Sequence, residues 1–162
     1  MRKFIFIEGI VCALILCAGS IALGDWDPGD PCKMHSPQLP DSIGWDVCLN
    51  CQYIADDFQC SETGPITDIH FWISWKNDRD GDLLPSMLDV TIRSDIGGKP
   101  GMILWTFNGG TMKVRFYGQG QQGWVCPSPP PLIVNFDHTS FYQVNLTNLE
   151  DPFEQQAGQI YW

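Results

Sequence analysis

A chain of 162 residues with 44% hydrophobic and 17% charged content has enough apolar material for one folded domain, which excludes wholesale disorder. Its formal net charge of −10 makes nucleic acid and anionic membrane surfaces poor partners. With 16 Gly and 12 Pro it reads as short strands between many turns, and its 7 Trp and 9 Phe suit a core or a sugar-stacking surface.

The first residues read as a targeting signal. Arg2 and Lys3 form a positive n-region, and the run from Gly9 to Leu23 carries no charge. That length suits the apolar part of a secretory signal peptide and is short for a membrane span. Ala22 and Gly24 place small residues at −3 and −1, so residues 1–24 are expected to be removed before Asp25. Leu16 disfavours a lipoprotein site at Cys17, and Glu8 disfavours an uncleaved anchor. The expected address is secreted, extracellular or cell surface, with no membrane contact beyond the signal peptide. Cleavage takes Cys12 and Cys17 with it and leaves Cys32, Cys48, Cys51, Cys60 and Cys126. In an oxidising compartment these five are disulfide candidates, with two bridges and one free thiol as the default. Spacing does not choose the pairs. A Cys60–Cys126 bridge is one expectation, because both fall near predicted strand ends.

Residues 25–47 are rich in Asp, Pro and Gly and read as an extended lead-in, with Trp26 and Trp45 tucked against the domain's edge. The folded body is expected over 48–162. Residues 52–58 read as a first strand. In 66–75 alternation is strict: Ile69, Phe71, Ile73 and Trp75 face one way, while Asp68, His70, Trp72 and Ser74 face the other. An acidic loop follows at residues 77–82. Leu88 to Ser94 alternates again, Met102 to Phe107 reads as a strand buried on both faces, and Thr111 to Tyr117 returns from a hairpin at Asn108-Gly109-Gly110. Residues 118–131 read as a long Gly-, Gln- and Pro-rich loop, and 132–136 and 141–146 as two strands. Asp151, Pro152 and Glu154 fit the start of a short helix closed by Gly158. The closing Ile160-Tyr161-Trp162 reads as the middle of a strand, so the sandwich is expected to be truncated relative to its relatives.

Ala55-Asp56-Asp57-Phe58-Gln59-Cys60, then Gly64-Pro65-Ile66-Thr67-Asp68-Ile69-His70-Phe71-Trp72 and Ser74-Trp75, resembles an uncharacterised family of secreted bacterial domains. Arg93-Ser94-Asp95-Ile96, Pro100-Gly101, Leu104-Trp105, Gly123-Trp124 and Ile160-Tyr161-Trp162 extend the match over roughly residues 45–162. The resemblance implies a β-sandwich module of exported or surface proteins. It implies no mechanism.

Three groups of side chains stand out. Asp68, His70 and Trp72 share one strand face and span about 7 Å. They could stack a sugar ring and hydrogen-bond its hydroxyls, with Arg93 as a further ligand-binding candidate. The bland alternative is an Asp–His pair that orients a loop over a packed Trp72, with Arg93 pairing Asp68. Asp78, Asp80 and Asp82 around Gly81 are a weak calcium candidate: the oxygen ligands suit the ion, but Lys76 stands where an EF-hand loop needs an acid. Cys48-x-x-Cys51 lacks the second pair a zinc ribbon needs and the βαβ setting of a redox site. No catalytic residue is assigned, and calcium is the sole cofactor candidate.

The expected fold is an all-β, antiparallel, jelly-roll-like β-sandwich of seven to eight strands, with one short helix near the C-terminus. The expected function is a non-catalytic secreted module that binds polysaccharide or another cell-surface component. The alternatives are a structural spacer in a larger exported protein, and a hydrolase using Asp68 and His70. The first requires an exposed Trp72 in a groove, the second a buried Trp72, and the third a deep cleft on which Asp68 and His70 converge.

Overall fold

The computed structural model describes residues 25–30, 38–49, 53–79, 81 and 83–162. The signal peptide expected at 1–24, and Cys32, Cys51, Asp80 and Asp82, lie outside the described residues. Among the described residues ten strands form: β1 (Trp45–Val47), β2 (Phe58–Gln59), β3 (Gly64–Ile66), β4 (Ile69–Ser74), β5 (Thr91–Asp95), β6 (Pro100–Thr106), β7 (Thr111–Cys126), β8 (Leu132–Thr147), β9 (Phe153–Gln155) and β10 (Ile160–Tyr161). One sheet runs β1-β7-β8-β4, a second runs β2-β10-β5-β6, and β3 pairs with β9. The fold is all-β and sandwich-like. Its pairs are antiparallel except β1 with β7, which is parallel.

The alternation in β4 does what a period of two requires. Ile69, Phe71 and Ile73 stand opposite Leu146, Val144 and Tyr142 of β8. They pack on a core of Val144, Leu146 and Leu149 with Ile92, Trp105 and Tyr161, the last three from the second sheet. Val144 and Leu146 are wholly buried, each worth about 1.5–3 kcal/mol in apolar surface removed from water. The opposite faces of β4 and β8 are polar, and they position the residues discussed below.

Several expectations are corrected. The strand expected over 66–75 is divided: Gly64–Ile66 pairs with β9, and β4 begins only at Ile69. Residues 53–57 are not strand, and β2 is confined to Phe58–Gln59. The strand over 102–107 is not buried on both faces, since Met102, Ile103 and Leu104 are exposed, Trp105 is buried in the core and Phe107 packs against it. No helix forms after Asn148. Phe153–Gln155 is strand, and among the described residues the helical elements are two 3-10 turns, Lys76–Asp78 and Pro85–Met87. So short a helix has few internal bonds to repay its nucleation. The strand instead buries Gln155, whose amide donates to the Glu62 carbonyl at 2.9 Å, and sets Phe153 edge-on to Tyr161 at 5.1 Å.

The largest correction concerns 118–146. The expected loop is strand up to Cys126, and the two expected strands are one, so β7 and β8 form a hairpin with 16 residues in each arm. Register shifts between Phe116 and Gly118, Gln119 and Gln122, and Gln122 and Trp124 mark bulges that bend the ladder. Glycine is needed here for close approach. A Cβ on Gly120 would fall within the van der Waals radius of the Ser42 backbone, and one on Gly123 would meet the Val134 carbonyl. The hairpin thereby admits part of the lead-in as a neighbouring strand. Gly123 donates to the Gly44 carbonyl at 3.2 Å, and Cys48 donates to the Val125 carbonyl at 2.9 Å.

Candidate functional site

The polar face of β4, β8 and β7 carries His70, Asn145 and Lys113 in one row and Trp72, Gln143 and Arg115 in the next. A second layer covers it. The Trp26 carbonyl accepts from Arg115 Nη2 and from Gln143 Nε2, both at 2.8 Å. Arg115 also bonds Asp27 at 2.6 Å, and Lys113 bonds Asp25 at 2.7 Å. The Trp26 indole packs edge-on to Trp72 at 6.0 Å, and Tyr117 closes on Trp72 at 5.5 Å. Buried Gln143 and Asn145 thus find partners, as buried amides must.

The ligand-binding candidates are only partly brought together. His70 Nδ1 lies 2.6 Å from Asn145 Oδ1, while its Nε2 is 3.9 Å from the exposed Asp68 carboxylate, too far for a hydrogen bond. Trp72 is half-buried between Trp26 and Tyr117, so its rings are engaged by protein. Arg93 stands in the other sheet and donates to Thr91 Oγ1 and the Gly101 carbonyl rather than to Asp68.

Of the calcium candidates, Asp78 is described, and its carboxylate is occupied. It accepts from the Thr139 N–H at 2.9 Å, the Thr139 hydroxyl at 2.8 Å and the Ser140 N–H at 2.8 Å. Burial opposes its ionisation, but these donors outweigh burial and hold its pKa below the ordinary 3.8. This contribution is complete above the unfolded-state pKa and is lost as pH falls below about 3.8 toward the folded value. Asp78→Ala should cost about 1 kcal/mol at pH 7, small because the side chain is exposed. The gap between variant and wild type should narrow in urea titrations at pH 3. A gap that widens on acidification would refute the assignment.

Cys48, Cys60 and Cys126 are described, and Cys60 is not joined to Cys126 as expected. Cys60 lies buried in contact with the Gln155 side chain. Cys126 belongs to the far end of the hairpin, beside β1.

A cleft of about 420 Å³ opens where β1 meets β4 and the hairpin. Trp45, Asp46 and Cys48 line one side, Trp72, Ser74 and Lys76 another, with Trp124 and His138 from the hairpin. Trp45 is 48% exposed, so about half of this aromatic residue is open to solvent. Lys76 Nζ sits 5.0 Å from the Trp124 ring centroid, within cation–π range. The Asp46 carboxylate accepts from the Ser74 hydroxyl and lies 3.1 Å from His138 Nε2. The acid therefore stands between serine and imidazole. His138 Nε2 is engaged by Asp46, which is not the arrangement that activates a serine nucleophile.

Behind this cleft Asp137, with a side chain 4% exposed, lies 3.6 Å from His138 Nδ1. Burial opposes its charge, but the Asn77 N–H at 2.9 Å, with help from Trp124 and His138, holds its pKa below the ordinary value. Sequence reasoning missed Trp45, Asp46, Lys76, Trp124 and His138 as a group. They come from three separate segments, and the sequence pointed singly to Trp45, as a residue at the domain's edge, and to Trp124 in Gly123-Trp124, but not to the group.

No curated protein and no solved structure matches the chain. One family model does, described as a domain of unknown function, and it spans residues 34–162, which include β1, the hairpin and every residue of the cleft. The chain therefore belongs to this family of unknown function, DUF7901, which agrees with its resemblance to an uncharacterised family.

Proposed function

We propose that the chain is a non-catalytic carbohydrate-binding module of an exported or cell-surface protein, with its ligand in the cleft flanked by Trp45 and Trp124. The exposed Trp45 indole beside Asp46 carries the reading. A pyranose ring has an apolar C–H face that packs on an indole, and equatorial hydroxyls that pair with a carboxylate or an ammonium. The cleft offers both surfaces within one small volume: Trp45 and Trp124 for the face, Asp46 and Lys76 for the edge. Asp46 is 37% exposed, so a hydroxyl can reach it without breaking the domain open. The original candidates Asp68 and His70 contribute no atom to this cleft, while Trp72 forms part of its wall. The export part of the reading rests on the charge and apolar pattern of residues 1–24.

Affinity electrophoresis of the full chain against a panel of neutral and acidic polysaccharides tests the reading, with Trp45→Ala run alongside. Wild type should be retarded by at least one glycan, and the variant's affinity should fall about tenfold, the equivalent of one aromatic stacking contact. Equal retardation of both proteins would move the ligand out of the cleft. If neither is retarded while both unfold cooperatively, the structural spacer becomes the better account.

A further inference from the structure

We propose that Cys48 and Cys126 form a disulfide that staples β1 to the far end of the hairpin. The parallel pairing of β1 with β7 sets Trp45 beside Gly123, Asp46 beside Trp124 and Val47 beside Val125. One further step in the same register sets Cys48 beside Cys126. The bond from the Cys48 N–H to the Val125 carbonyl, at 2.9 Å, shows that the two chains are still side by side there. Neighbouring strands lie about 4.8 Å apart, inside the range of about 4.4–6.8 Å between the Cα atoms of disulfide-bonded cysteines. Paired residues in a parallel ladder point to the same face, so the two thiols share a side. Both are half-buried and neither is bonded to another cysteine. Cys48 also lies one residue beyond the last ladder residue of β1, which leaves its backbone room to close the remaining gap.

The oxidant is a small-molecule disulfide such as glutathione disulfide. The Cys48 thiolate attacks one of its sulfurs and expels a glutathione thiolate. The Cys126 thiolate then attacks the Cys48 sulfur of the mixed disulfide and expels the second. Two protein thiols lose two electrons, the glutathione disulfide gains them, and the two protons end on the released glutathiones. The loop closed is long, so the bridge should stabilise mainly by restricting the unfolded chain.

The test is peptide mapping of the full chain after equilibration with glutathione disulfide and alkylation of remaining thiols. Fragmentation must separate Cys48 from Cys51. The expected result is a linked peptide pair carrying Cys48 and Cys126, together with a Tm about 5 °C or more above that of the reduced protein. Cys126→Ser should leave Cys48 open to alkylation under the same conditions. Linkage of Cys48 to Cys51, linkage of Cys126 to any other cysteine, or alkylation of both in the oxidised wild type would overturn the assignment. The mapping is read on the wild-type protein, so it does not depend on the variant folding.

Discussion

Gly120→Ala is expected to detach the β1 segment from the hairpin and to cost about 3 kcal/mol or more, because its added Cβ makes the closest backbone approach of any described glycine. The new Cβ would overlap the carbonyl oxygen, carbonyl carbon and Cα of Ser42. All three atoms are backbone, so no rotamer change relieves the clash, and the two chains must part. What parts with them is specific. Gln122, 2% exposed, gives its amide to the Asp41 carbonyl. Gly123 and Cys48 tie β1 to β7 through their N–H groups or carbonyl partners. If β1 moves away, Asp46 leaves both Ser74 and His138. Losing the Asp46 carboxylate from His138, which is 2% exposed in the intact fold, adds about 1 kcal/mol, the net worth of one hydrogen bond. Denaturant titration gives the global cost, and hydrogen exchange at residues 45–48 reports whether β1 has come away. Unchanged protection there, with an unchanged midpoint, would show that the lead-in docks differently from this structure.

The same glycine explains why sequence reading failed over 118–126. Gly118, Gly120 and Gly123 within nine residues look like a loop, because glycine weakens a strand and signals turns. Here each is required by something distant in sequence: the Phe141 ring at Gly118, Ser42 at Gly120, and the Val134 carbonyl at Gly123. Local pattern cannot carry that information. It does carry β4, because one face meets the core directly and Ile69, Phe71 and Ile73 record that contact at a period of two. The capping pattern from Asp151 to Glu154 was a true local preference overridden by a non-local one, the pairing of β9 with β3.

The candidate site shows the same division. Sequence placed Asp68, His70, Trp72 and Ser74 on one polar strand face; His70, Trp72 and Ser74 take that face in β4, while Asp68 lies just before the strand begins. It could not show that the face is covered, because the cover is Asp25–Asp27, more than forty residues away in a stretch without periodicity. The accessible cleft lies at the end of that face, where Trp72 and Ser74 meet β1. Trp72 is therefore a joint: one neighbour is the cover, Trp26, and the cleft borders it as well.

That joint makes Trp26→Ala the second large effect. Trp26 is 9% exposed, and removing a buried indole costs about 3–5 kcal/mol where surrounding groups cannot collapse into the space. Collapse is difficult here, since the floor is Gln143, wholly buried and held by Arg115 at 2.7 Å. The other described side-chain ties of residues 25–27 include the surface ion pairs of Lys113 with Asp25 and Arg115 with Asp27 and a 3.3 Å bond from the Asn145 amide to Asp25, and such contacts hold a chain weakly. Without the indole, the segment should lift and take the Trp26 carbonyl away from both Arg115 and Gln143. The expected result is a loss of about 3 kcal/mol together with faster solvent exchange of the Trp72 indole proton, which in the intact fold is buried. Trp26→Phe should recover more than half of the loss, because a second aromatic ring can still pack edge-on against Trp72. A variant with unchanged stability and a still-protected Trp72 proton would mean that the sheet's polar face stands without its cover. The arrangement of Gln143, Asn145 and Arg115 would then need another source of hydrogen-bond partners.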